Sequence, residues 1–169
     1  MVDGITSAGL GAPVHRLAVA QHRAYVEALR ACGLAVTCLP ADDEFPDSTF
    51  VEDTALLTPH CAIIMRPGAP ARRGEAAAIE PVVAGLFDAV ERVEPPGTAD
   101  AGDIMMVGDH YFIGLSQRTN REGAAQIIAL LEAYGMTGSP VPLDRVLHLK
   151  SGVVYLENNT MLAAGEFKE

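Results

Sequence analysis

Two carboxylates and one imidazole recur at nearly constant intervals along this 169-residue chain. Asp53 precedes Asp100 by 47 positions, and Asp100 precedes His148 by 48. Arg72 and Arg118 keep the same rhythm, 46 positions apart. A pair of carboxylates accepts a planar cation through forked, charge-assisted hydrogen bonds, so a guanidinium or amidinium is the natural guest of Asp53 and Asp100. An imidazole beside them, with an ordinary pKa of about 6.5, passes protons to and from a leaving amine near neutral pH. Two arginines at the outer end of the same pocket would fork onto a carboxylate. Two acids inside and two arginines outside describe an arginine-like molecule. Taken singly, each residue has a plainer reading: an Asp in a Gly loop is a turn residue, a lone His is structural, a lone Arg is solvated. The shared interval is what makes them a set.

The elements that would position these residues form an internal repeat of helix, strand, polar loop and hairpin. The stretch Gly97 to Asn120, GTADAGDIMMVGDHYFIGLSQRTN, holds one junction: Asp100 in its loop, the apolar run Ile104 to Val107, a turn at Gly108-Asp109, and the returning run Tyr111 to Leu115, which leads to Arg118. The same order places Asp53 before a hairpin over 50–65, with Arg72 and Arg73 beyond it, and His148 before a hairpin over 152–164. Helices are predicted from Pro13 to Cys32, ended by Gly33, over 72–87, and from a Thr119–Glu122 capping box to Gly135. Pro81 either kinks the second of these or falls in the first turn of a helix whose regular part begins near Glu80. Strands are predicted at 35–39, 90–93 and 140–146. In a radial repeat fold, equivalent loops point at one axis, so residues 53, 100 and 148 should meet. Of the acids in the loop PADDEFPDS, Asp47 is the one placed to face the same pocket.

The composition narrows the function classes. A net charge of −10 and sparse arginines argue against a nucleic-acid partner, and local basic residues in an acidic protein suit a small carboxylate ligand better. No apolar run approaches the roughly 20 residues of a membrane span, and the opening residues are not a signal peptide, so a soluble, cytoplasmic protein is expected. Cys32, Cys38 and Cys61 lack metal-ligand spacing and are odd in number, so no metal site and no disulfide framework is expected. All three are read as packing residues, Cys32 on a helix and the other two in strands.

FPDSTFVEDTALL, RPGAPARRGE, the Asp100 stretch through SQRTNREGA, and LHLKSGVVYLENNTMLAAGEF together carry a resemblance. Over nearly its whole length the chain resembles the dimethylarginine dimethylaminohydrolases of the guanidino-modifying pentein superfamily. The resemblance implies an α/β class fold, a five-bladed α/β propeller of which about three ββαβ-type blades fall in this chain. It implies hydrolysis of Nω-methylated arginine to citrulline and a methylamine without a cofactor. Arginine and agmatine deiminases share the guanidinium pocket and are the neighbouring alternative. Carried over by position, His148 is the general acid and base. Asp53 and Asp100 hold the guanidinium with Glu52 beside them. Asp47 and the backbone of Ile5 contact the amino-acid end, and Arg72 and Arg118 its carboxylate.

The family's nucleophile is a cysteine near the C-terminus that forms a covalent thiouronium intermediate. None of Cys32, Cys38 and Cys61 falls in an equivalent loop. Residues 1–169 are therefore expected to be one incomplete pentein domain, without the opening strand and the last blades, and inactive alone. Two other readings accompany this one: a guanidinium-binding chain without chemistry, and an assembly partner, homodimer included, whose unpaired strand edges invite pairing.

Overall fold

The apolar triplet Ala62-Ile63-Ile64 explains why the first repeat folds as it does, because a strand buried on both faces reads as a continuous hydrophobic run. In the computed structural model, which describes residues 3–6, 9 and 11–168, these residues form a central strand. The chain divides into two compact units, Met1–Thr49 and Phe50–Glu169.

The second unit contains the repeat. Strand β1 (Ala55–Leu57) pairs antiparallel with β2 (Ala62–Ile64), and β2 pairs in parallel with β3 (Val90–Arg92). Helix α2 (Glu75–Ala84) makes the crossover. Ala62 and Ile64 pack with Val83 of that helix, while Ile63 points the other way into the main core. Full burial of a side chain such as Ile63 contributes about 2–3 kcal/mol. The second repeat has the same order: β4 (Ile104–Val107) antiparallel with β5 (His110–Leu115), and β5 parallel with β6 (Thr137–Pro142) after helix α3 (Arg121–Ala133). Tyr111, Ile113, Ile127 and Leu131 are its buried centre, and they share one core with Ile63 and Met65 of the first repeat. A last hairpin, β7 (Val153–Glu157) with β8 (Thr160–Ala163), has no third strand among the described residues.

Several expectations shift. The segment 35–39 forms no strand: among the described residues nothing offers it a ladder partner. Strand β6 begins at Thr137, three residues before the expected 140, and ends at Pro142 because Leu115, the end of its partner, lies opposite. Helix α2 starts at Glu75 and continues through Pro81, forgoing the hydrogen bond that the missing N–H would make to Ala77. Asn120, one residue past the expected Thr119, caps α3. Its side chain accepts from Gly123 N–H at 2.7 Å and from Thr98 N–H at 2.9 Å. The buried face of α3 is the expected one.

In the first unit, α1 spans His15–Ala31, and its only buried residue is Val26. The expected stripe is therefore largely uncovered, with Leu17 and Tyr25 exposed. Cys32 and Cys38 are exposed and only Cys61, which sits just before β2, packs inside. Ile5 and Asp47 meet here, since the Ile5 N–H donates to both oxygens of the Asp47 carboxylate at 3.2 and 3.0 Å. No helix of the described residues is long and apolar enough to cross a membrane.

Candidate active site

Each hairpin of the second unit is entered through a short 3-10 turn, and these turns carry the polar residues. They span Val51–Thr54, Ala101–Asp103 and Leu149–Ser151. A 3-10 turn packs three residues into one tight loop with its backbone N–H groups unspent at the start. It can thus turn a short side chain sharply inward before the strand begins. Asp53 lies inside the first turn, while Asp100 and His148 immediately precede the second and third. The strands after them start at Ala55, Ile104 and Val153, 49 residues apart each time. The polar residues are spaced 47 and 48, so they are not strict equivalents and reach the cluster from slightly different places on their turns.

The three nonetheless converge. Asp53, Asp100 and His148 each present a donor atom within 4.8 Å of the others, and both carboxylates are buried. The packing leaves no slack. The Gly102 N–H donates to Asp53 Oδ1 at 3.1 Å. A Cβ at 102 would stand 2.7 Å from that oxygen and 3.1 Å from His148 Cγ, so any side chain there would part the two. Asp100 Oδ1 accepts the Gly68 N–H at 2.9 Å, while its Oδ2 is buried without a hydrogen-bond partner. Gly68 in turn lies so close to the backbone of Arg118 that a Cβ would fall 2.3 Å from Arg118 O.

Three carboxylate and imidazole donors this close form a cation site, and the cation present is a side chain. Arg72 Nη1 donates to Asp53 Oδ2 at 2.7 Å and stands 3.9 Å from Asp100 Oδ2. Nη2 bridges Glu75 at 2.7 Å, Nε faces both oxygens of Glu75 at 3.1 Å, and the guanidinium lies over the Phe50 ring. Arg72 was expected at the outer end of a pocket; its guanidinium lies inside the acidic cluster, because Glu75, three residues on, takes its fork. Arg118 is half-buried, and its guanidinium makes no hydrogen bond or ion pair among the described residues. Glu52 is exposed and pairs with Lys150 at 2.6 Å, tying the first turn to the third.

Charge in the cluster shifts the titrating groups. Burial pushes the Asp100 carboxyl up, and Asp53 adds to this. The Gly68 N–H, His148 and Arg72 pull the other way without cancelling it. Burial alone would push the His148 imidazole down. The carboxylates of Asp103, Asp53 and Asp100 reverse this and leave it above its ordinary value. Burial would likewise lower Arg72, but Glu75 and Asp53 more than compensate and hold it charged. Burial pushes the Cys61 thiol up, with Thr58 opposing, which suits packing and not attack.

Sequence reasoning passed over Asp103. It is fully buried and lies 3.3 Å from His148 Nδ1. The available signal was its spacing from Asp100 in DAGD, three residues apart at the two ends of one short turn, where both side chains face inward.

Residues 12–167 match the family model described as N,N dimethylarginine dimethylhydrolase, eukaryotic. The N(G),N(G)-dimethylarginine dimethylaminohydrolase of Pseudomonas aeruginosa is 58% identical over 168 residues, covering 99% of this chain and 66% of that protein. The protein of the same name from Streptomyces coelicolor is 43% identical over 148 residues, covering 88% of this chain and 57% of its own length. The chain thus spans less than two thirds of these relatives. Among solved structures, the Pseudomonas enzyme, as a Cys-to-Ser variant complexed with citrulline, superposes with a TM-score of 0.97 at 57% identity, over 99% of this chain and 66% of that one. The N-terminal domain of a cyanobacterial arginine dihydrolase shares the fold, with a TM-score of 0.79 at 19% identity over 89% of this chain and 56% of that one. Family model, close relatives and superposition agree that this chain belongs to the dimethylarginine dimethylaminohydrolase family.

Proposed function

We propose that this chain supplies the guanidinium-binding and proton-transfer groups of a hydrolase that converts Nω-methylated arginine to citrulline and a methylamine. The observation that carries the reading is the convergence of Asp53, Asp100 and His148 within 4.8 Å inside one compact unit. Arg72 supports it from within: a guanidinium already sits 2.7 Å from Asp53, so the cluster has the charge and shape to accept that group.

In this reading Asp53 and the orphaned Oδ2 of Asp100 receive the substrate's N–H donors. Glu52 lies beside them, exposed and exchangeable from Lys150. The imidazole of His148, raised above its ordinary value, takes a proton from the attacking group and returns it to the departing amine. Arg118, with its unspent fork, meets the substrate carboxylate, and Arg72 acts from inside the cluster as the charge that keeps the acids in place. The attacking thiolate belongs to the part of the relatives' length that this chain does not span. The two ββαβ repeats and the final hairpin are successive blades of a five-bladed propeller.

Calorimetry with asymmetric dimethylarginine tests the binding half, with arginine as the comparison ligand. Binding should weaken at least tenfold in Asp53→Asn and in Asp100→Asn. Equal affinity across wild type and both variants would overturn the assignment. In the hydrolase that carries this chain, His148→Ala should abolish citrulline formation.

A further inference from the structure

Asp103 is wholly enclosed, yet among the described residues no guanidinium or ammonium pairs with it. Burying a carboxylate away from a counter-charge is costly, so its contacts should show what holds it there. Ser116 Oγ donates to its Oδ2 at 2.6 Å and Thr119 Oγ1 at 2.7 Å. The Leu149 N–H donates to Oδ1 at 3.1 Å. The remaining direction at Oδ1 faces His148 Nδ1 at 3.3 Å, a charge contact without hydrogen-bond geometry, and that buried nitrogen makes no hydrogen bond among the described residues. Two consecutive groups of the third turn, the ring of residue 148 and the N–H of residue 149, therefore meet the same oxygen. Thr119 also accepts the Asp100 N–H at 3.2 Å, so the hydroxyl that anchors Asp103 anchors the turn carrying Asp100 as well.

This arrangement separates the two imidazole nitrogens. Nδ1 faces Asp103, and Nε2 is turned toward Asp53, 4.0 Å from its Oδ1. We propose that Asp103 is the positioning residue of His148: its Oδ1 holds the proton on Nδ1, so that the neutral ring presents the bare Nε2 to the Asp53–Asp100 cluster. Nε2 then accepts one proton from the attacking group, the ring becomes imidazolium with Asp103 still a carboxylate, and the same proton leaves from Nε2 to the departing amine. Ser116 and Thr119 fix the plane of the carboxylate and take no proton.

The inference rests on the hydrolase reading only for its kinetic consequence, and the test keeps the two apart. Long-range 15N spectra of the 169-residue chain report the tautomer of His148 directly. Neutral His148 should carry its proton on Nδ1. In Asp103→Asn that population should fall, and the ring should titrate at lower pH. Asp53, Asp100 and Arg72, which also face this cluster, are unchanged in the variant, so the drop belongs to Asp103. Thr119→Val, which loosens the same carboxylate at Oδ2 and frees the Asp100 N–H but leaves Oδ1 in place, should leave the tautomer as it is. A wild-type ring protonated on Nε2 overturns the proposal even if Asp103→Asn fails to fold. So does a tautomer shift as large in Thr119→Val as in Asp103→Asn, which would reduce Asp103 to a tie between loops. In the hydrolase, Asp103→Asn should lower kcat on the order of a hundredfold or more with KM little changed. A retained Nδ1 proton in Asp103→Asn would overturn the positioning role, whereas a lost Nδ1 proton with unchanged turnover would leave the positioning standing and refute the catalytic role of His148.

Discussion

Arg72→Met removes the one positive charge inside a knot of buried acids, and its cost follows from the contacts. The arginine, Glu75 and Asp53 side chains are 6%, 3% and 10% exposed. The guanidinium makes hydrogen bonds to both carboxylates and to Phe50 O at 3.3 Å. Removing one partner of a buried ion pair typically costs about 3–5 kcal/mol, because the other charge stays behind without compensation. Against a total stability of roughly 5–15 kcal/mol this is a large fraction. The methionine keeps most of the aliphatic volume, so little of the loss comes from a cavity. Arg72→Lys should recover only part of it, since an ammonium has no fork with which to hold Glu75 and Asp53 together. The chain has no tryptophan, so equilibrium urea unfolding followed by far-ultraviolet circular dichroism is the suitable assay. Buried pairs are weakly screened, and the loss should change little between low and moderate salt. A loss under about 1 kcal/mol, the range of surface ion pairs, or one that vanishes in salt would refute the argument that this charge is structurally required.

Asp100→Asn should behave oppositely. Burial raises the Asp100 carboxyl, so its charged form opposes folding as pH rises through that raised value. The amide removes this charge while still accepting the Gly68 N–H, and the variant should be more stable at neutral pH by about 1 kcal/mol in the same unfolding assay while losing guanidinium affinity. His148 gives a pH signature of its own. Its folded value is raised, so the stability it contributes is fully present below about pH 6.5 and lost as pH climbs through the raised value. Unfolding curves for His148→Gln measured from pH 6 to 9 should lack that decline. Asn120→Ala should cost about 1–2 kcal/mol by freeing the Gly123 and Thr98 N–H groups. Glu122→Ala, which the expected capping box would make costly, should stay within about 0.5 kcal/mol of wild type by thermal melting.

Much of the architecture was legible because it follows from local pattern. The runs Ile104 to Val107 and Tyr111 to Leu115 alternate about a Gly-Asp turn and form the expected hairpin, with Gly108 at a φ of 59°. Ala124, Ile127 and Leu131 recur at helical spacing and are buried as a face of α3. The meeting of residues 53, 100 and 148 could be anticipated from their interval, although the strands repeat at 49 and the acids do not. What escaped is what depends on partners. Thr119 looks like a cap from its spacing to Glu122, but its hydroxyl is drawn to a buried carboxylate, and the neighbouring asparagine takes the cap. Arg72 reads as a carboxylate-binding group at the outer end of the pocket until Glu75 is seen to lie within its fork. Asp103 gave no periodic signal, since its importance arises from four groups on two other segments, 116–119 and 148–149. Val36 to Leu39 carries strand-forming residues, yet a ladder needs a neighbour and composition does not provide one.

Two acids of the second unit take a backbone donor from further along the chain, Asp53 from Gly102 and Asp103 from Leu149, whereas Asp100 takes its own from the earlier Gly68. During synthesis, then, neither carboxylate is fully solvated by protein until about fifty more residues have left the ribosome. Each repeat remains an unfinished electrostatic environment until its successor arrives, and the pocket ripens from the N-terminal side in the order of translation. A lesion in a later turn should accordingly loosen an earlier carboxylate it never touches with a side chain.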